Sequence, residues 1–122
     1  MGLLESIAKE QGIRMMDYKE GEKTLDLLRE KFEISETCKG FAVAPNRKIE
    51  GLSPLVMYNE ELTGTGLNAV IAHELGHIFM GHVGGNIRPA DNERLELEAN
   101  IFKAVLLVAD LILQHMKEEK QA

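Results

Sequence analysis

The spacing of apolar positions changes repeatedly along the chain, and each change predicts a different element. In GLLESIAKEQ, Leu3, Leu4, Ile7 and Ala8 fall on one helical face, and Gly12 marks its end. IRMMDY is short and apolar enough to serve as a first strand. From Glu22 to Phe32, Leu25, Leu28 and Phe32 recur at three and four, the signature of a second amphipathic helix. KGFAVAP and LSPLVMYN are short β-prone runs separated by the polar NRKIEG, with Pro45 and Pro54 at their edges. They predict a small antiparallel sheet. After TGTG, Thr63 or Thr65 can cap a helix running to about Gly81. Leu67, Val70, Ile71, Leu75, Ile78 and Phe79 surround most of that helix, which should therefore be central. The loop HVGGNIRPADN leads to a last long helix from about Asn92 to Lys117. Helices, then strands, then helices make an α+β fold, and no repeat or linker divides residues 1–122, so one domain is expected.

Composition narrows the function. Net charge is −6 and evenly spread: residues 1–61 carry nine Lys/Arg against twelve Asp/Glu, and residues 62–122 carry five against eight. A chain that neutralises nucleic-acid phosphates needs a basic face, so direct nucleic-acid binding is not expected. Cys38 is the lone cysteine, no secretory signal opens the chain, and no apolar run is long enough to span a membrane. These features predict a cytoplasmic protein.

Within the central helix, VIAHELGHIFMGH places His73, Glu74 and His77 in an apolar run. Each of those groups is costly to bury without a partner. His73 and His77, four residues apart, stack on one helical face and can grip a single metal ion, with Glu74 about 100° round. There Glu74 can take a proton from a water that the metal activates. Zinc suits imidazole and carboxylate donors, and the combination hydrolyses amides. Every other residue from Val70 to Phe79 is uncharged, as a buried helix requires.

A catalytic zinc takes three protein ligands and leaves a position for water. His82 is too close in sequence for the extended H-E-x-x-H-x-x-G-x-x-H motif, which would need a glycine at Met80 and a histidine at Val83. It reads either as a residue at the carbonyl end of its helix or as an oxyanion-stabilising group on the rim. Tyr58, on the strand before the helix, is a second rim candidate or else a packed tyrosine. In ERLELEANIFKAVLL, Glu93 reads as a solvated first-turn residue, and Glu98 shares a face with Arg94 as an i,i+4 partner. Glu96 falls on the face continued by Asn100 and Lys103, next to the small Ala99. Glu96 and Asn100 could present a ligand and an orienting amide together, and the first-turn position of Glu98, about 200° from Glu96, faces elsewhere.

AHELGHIFMGH followed by LELEANIFKAVLL resembles the ImmA/IrrE family of bacterial and phage zinc metallopeptidases. EQGIRMMDY, KGFAVAP and LVMYNEEL resemble its weaker upstream pattern, in which a strand ends in asparagine just before the catalytic helix. The resemblance covers roughly residues 12–107. It implies a minimal zincin-like fold, Zn2+ held by His73, His77 and Glu96, Glu74 as base, and a protein substrate that is a helix-turn-helix repressor, cut or relieved by an anti-repressor. Family members usually end the second helix with a proline. Here Lys103 follows Phe102 and the sequence continues as LLVADLILQH, so the helix is expected to run on through Leu111 and Leu113. The competing function is a zinc-stabilised interaction domain that binds a repressor or toxin without cutting it. Glu74 argues against that, because a purely structural zinc site has no use for a base.

Overall fold

The computed structural model describes residues 2–31, 38–43, 54–80 and 93–121. In chain order the elements are α1 (Gly2–Glu10), β1 (Arg14–Asp17), α2 (Glu22–Lys31), β2 (Gly40–Val43), β3 (Leu55–Tyr58), α3 (Gly64–Phe79) and α4 (Glu93–Gln121). The α+β layout matches the hydrophobic pattern. The polar stretch NRKIEG, the HVGGNIRPADN loop, Pro45 and His82 lie outside the described residues.

The expected antiparallel pair forms, but the sheet as a whole is not antiparallel. Its order is β1-β3-β2, and it is mixed: β2 pairs antiparallel with β3, while β1 pairs parallel with it, Arg14 opposite Leu55 and Asp17 opposite Tyr58. A parallel pair needs a long crossover, and α2 lies between β1 and β3 in the chain. The ladder extends at both ends of β1, through Arg14 N–H to Pro54 O (2.8 Å) and Tyr18 N–H to Tyr58 O (2.8 Å).

β3 is therefore the central strand, and its side chains alternate between two cores. Leu55 and Met57 pack with Leu25 and Leu28 of α2. Val56 points the other way, into a cluster with Leu4 and Ala8 of α1, Ile13, Ile71, Ala72 and Leu75 of α3, and Leu106 of α4. This explains why LVM is a continuous apolar run: both faces of the strand are covered. α3 sits at the centre of the second core, touching both β2 and β3 on one side and α1 and α4 on the other.

Local signals set the element ends. Gly12 takes φ +67°, and its N–H bonds Lys9 O (3.2 Å) while Ile13 N–H bonds Ala8 O (2.8 Å), the paired bonds of a Schellman ending. Asn59 makes the turn from β3 towards α3. Its N–H reaches Lys39 O (2.9 Å), its Oδ1 accepts from Glu61 N–H (2.8 Å), and its carbonyl accepts from Leu62 N–H (3.1 Å). Thr63 occupies the N-cap of α3 in extended conformation, without a side-chain capping bond.

α4 runs for 29 residues, beyond Leu111 and Leu113, as the missing proline implies. One of its residues holds the far end of the chain in place. Asp110, only 4% exposed, accepts from Leu3 N–H at the start of α1 (3.3 Å) and from Gln114 Nε2 (2.9 Å). A carboxylate at a helix N-terminus meets both unpaired amides and the positive end of the dipole. Among the described residues no helix is long and apolar enough to cross a membrane.

Asp110→Ala would strand the Leu3 amide and remove that charge, so we expect a loss of about 1–3 kcal/mol of stability. Urea denaturation at fixed protein concentration measures it. Gln114→Ala, which leaves the amide its acceptor, should cost less.

Candidate metal centre

The histidines of α3 and the first turns of α4 meet where the two helices come closest. Gly76, between His73 and His77, has no side chain, and a Cβ built there would lie 3.0 Å from Ala99 O, 3.2 Å from Ala99 Cα and 3.2 Å from Phe102 Cβ. Ala99 itself is fully buried. The glycine of HELGH and the alanine of EAN are thus the two small residues that let the backbones approach. Beyond them, Phe79 and Phe102 stack with ring centres 5.5 Å apart and hold the same helix pair together.

At this crossing three side chains converge. His73 Nε2 and His77 Nε2 are 3.1 Å apart. Glu96 reaches across from α4, its Oε2 3.0 Å from His73 Nε2 and its Oε1 3.0 Å from His77 Nε2. His77 is only 3% exposed, whereas Glu96 keeps about a third of its side-chain surface open (34%). On its other side, His73 Nδ1 donates to Asn100 Oδ1 at 2.8 Å. A carbonyl oxygen can only accept, so the Nδ1 carries the hydrogen. In the neutral ring Nε2 is then a bare lone pair. That lone pair faces a carboxylate oxygen and a second imidazole nitrogen at contact distance. Such an arrangement is repulsive unless a proton or a metal cation lies among the three atoms, and two imidazoles with one carboxylate are a donor set that zinc and similar divalent metals favour.

Glu74 adjoins this group. One potential ligand atom from each of His73, Glu74 and His77 lies within 4.8 Å of the others. The two carboxylates differ in setting. Glu96 touches both imidazoles, whereas burial, and then the negative charge of Glu96, push the Glu74 carboxyl up to about 8. Both causes favour the protonated carboxyl, and a cation among the histidines would act against them.

The remaining candidates fall elsewhere. Glu98 bonds Arg94 Nε at 3.0 Å as the expected i,i+4 pair. Tyr58 packs on the α3 side of the sheet. Burial raises its phenol, and the charges that act on it further are Asp17, Glu20 and Glu5, none of them in the histidine cluster. The phenol electrostatically coupled to Glu74 is instead that of Tyr18, held well above the usual range by burial first, then by Cys38 and less strongly by Glu74. Its hydroxyl donates to Cys38 O at 2.8 Å, and its ring stacks on Phe41. Tyr18 escapes a reading of the sequence because its placement depends on the parallel pairing of β1, which carries no local signal. His115 is exposed and pairs with Glu119 (3.1 Å), far along α4.

Against known families, the model of the IrrE N-terminal-like domain, Peptidase M78, matches residues 8–121. The chain belongs to this family. The match covers the whole of α3 and α4 and the three strands, so the resemblance extends well beyond HELGH and EAN. Membership makes the chain a metallopeptidase-family protein and, with the clustered histidines and glutamate, indicates a metal ion at this site. No curated protein and no solved structure matches the chain.

Gly76→Ala should lower metal affinity by about tenfold or more, because the added methyl meets α4 backbone and displaces Glu96 from the histidines. Helix propensity gains about 1 kcal/mol from the same change, so the melting temperature of the metal-free protein should move little. Isothermal titration with Zn2+ and thermal melts of chelated protein check the two halves.

Proposed function

We propose that the chain is a zinc-dependent endopeptidase that cuts a protein substrate at a specific site, and that this substrate is a helix-turn-helix transcriptional repressor in the cytoplasm. One observation carries the catalytic part. Two imidazole nitrogens and a carboxylate meet within 3.1 Å, with a desolvated carboxyl beside them. Family membership supports a peptidase. A net charge of −6 favours a basic protein partner, as electrostatic complementarity would require.

His73, His77 and Glu96 would hold the metal. Bound zinc supplies Lewis acidity, polarising the scissile carbonyl and making water acidic enough to attack near neutral pH. Asn100 fixes the His73 tautomer through Nδ1, leaving Nε2 free to coordinate. Glu74 takes a proton from the attacking water as the new carbon–oxygen bond forms. It returns that proton to the departing amine nitrogen as the carbon–nitrogen bond breaks. A cation held by the neighbouring ligands would offset the charge and burial that favour its protonated form, and its partly open surface leaves access for the water. Such a site closes its chemistry with one base and needs no nucleophilic side chain, so the lone Cys38 has no part in it.

The direct experiment mixes the purified chain and Zn2+ with a helix-turn-helix repressor from the same genome, and follows the repressor by gel and mass spectrometry. The expected outcome is a single cut that a chelator abolishes. Glu74→Gln should bind zinc as the parent does yet cleave slower by about two to four orders of magnitude, because glutamine cannot accept the proton. A Glu74→Gln chain that relieves repression as well as the parent would make the protein a binder and not a protease. In a separate comparison, Glu96→Ala should lose zinc heavily while Glu98→Ala, which breaks only the pair with Arg94, should titrate like the parent. The reverse order would move the third ligand to Glu98.

A further inference from the structure

α4 has two apolar faces, and the described residues cover only one. Ala99, Leu106 and Asp110 are buried on the side that packs against α3 and α1. On the other side Leu97, Ile101, Val105, Val108, Ile112 and Met116 are between 48% and 64% exposed, and Leu111 beside them is 65% exposed. From Ala99 to Met116 the ionisable residues are Lys103, Asp110 and His115. Asp110 is buried and Lys103 half-buried on the packed side, so the exposed stripe has no charge until His115 at its end. At roughly 100 Å² apiece these seven side chains offer on the order of 700 Å² of apolar surface, more than the largest patch of an ordinary monomer. It approaches the ~800 Å² that each partner contributes to a standard protein interface.

The order of residues along the stripe says what fits it. Positions 97, 101, 105, 108, 112 and 116 are spaced by four, four, three, four and four, the same in either direction about a point between Leu106 and Leu107. A second α4 laid antiparallel across that point sets Val105 against the partner's Val108, Ile101 against the partner's Ile112, and Leu97 against the partner's Met116. The charged ends then match in sign as well. Arg94 meets the partner's Glu119, and Glu98 lies level with the partner's His115. Within one chain Arg94 already pairs with Glu98 and His115 with Glu119, so the two i,i+4 pairs would join into one rim of alternating charge. A parallel copy would instead bring Arg94 against Arg94 and Glu119 against Glu119, and align the helix dipoles unfavourably.

We infer that this face is the interface of an antiparallel, two-fold symmetric dimer of the chain, with α4 packed on α4. Each copy contributes the same patch, as a two-fold interface requires. The pairing also secures residues 111–120, all of them exposed, in a helical segment too short to be stable alone. Glu96 points to the histidines on the α3 side, so both metal centres remain open. The inference stands whether or not the metal centre is catalytic.

Sedimentation equilibrium of the full chain, from low micromolar to near-millimolar concentration, tests it. The expected mass rises to twice 13.6 kDa. Val105→Glu and Val108→Glu, both at exposed positions, should each stay monomeric with unchanged helical circular dichroism and zinc titration. Arg94→Glu should weaken the dimer by about tenfold, and Arg94→Glu combined with Glu119→Arg should restore it. Failure of that charge swap to restore association would overturn the antiparallel register. A parent chain that remains at monomer mass throughout overturns the dimer. In that case co-sedimentation with phosphatidylcholine vesicles would assign the face to lipid, and its absence would assign it to a different protein.

Discussion

The closeness of α3 and α4 at Gly76 and Ala99 is the constraint on which the site depends. A carboxylate on one helix can reach two imidazoles on another only if the backbones nearly touch, because a glutamate side chain is short. Here one helix gives up its side chain and the other keeps only a methyl, and the gap closes until Glu96 lies 3.0 Å from both Nε2 atoms. The stacked Phe79 and Phe102 and the shared core around Leu75 and Leu106 hold the helices at that distance. The metal centre is therefore a consequence of helix packing, and its precision is that of a close-packed interior.

Two glutamates, 22 positions apart in the chain, acquire different chemistry from this one crossing. Glu96 lies at the solvent edge, against two imidazoles. Glu74 is more deeply desolvated and lies within the field of Glu96, so its proton affinity depends on whether a cation offsets that field. Residue type alone does not separate these roles. The environment that separates them is built by the apolar flanks of the HELGH helix, which exclude water from one carboxyl and not from the other.

The sequence made the local features legible. The i,i+4 histidines, the face shared by Glu96 and Asn100, the Arg94–Glu98 pair and the run of α4 past Leu113 all follow from helical periodicity, which is a property of neighbouring residues. What it left hidden depends on contacts between distant segments. β1 pairs parallel with β3, and IRMMDY holds no mark of which strand it will meet. Tyr18 follows from that pairing. Asp110 looks like an interruption in an apolar helix, and only the position of α1 shows it to be a cap. Tyr58 illustrates the same limit, since nearness in sequence to the HELGH helix does not determine which charges its hydroxyl faces.

The bond between Asp110 and Leu3 spans 107 positions of the chain. A ribosome makes α1 about a hundred residues before Asp110, at several residues per second. Through that interval the amides at the start of α1 lack this acceptor, and its apolar face lacks Leu106, one wall of its core. α1 is thus secured only once α4 has been made. Loop closure over such a distance also slows docking, because the entropy is lost before the contact is gained. The element that precedes the others in the fold therefore waits for its anchor on the one that follows them.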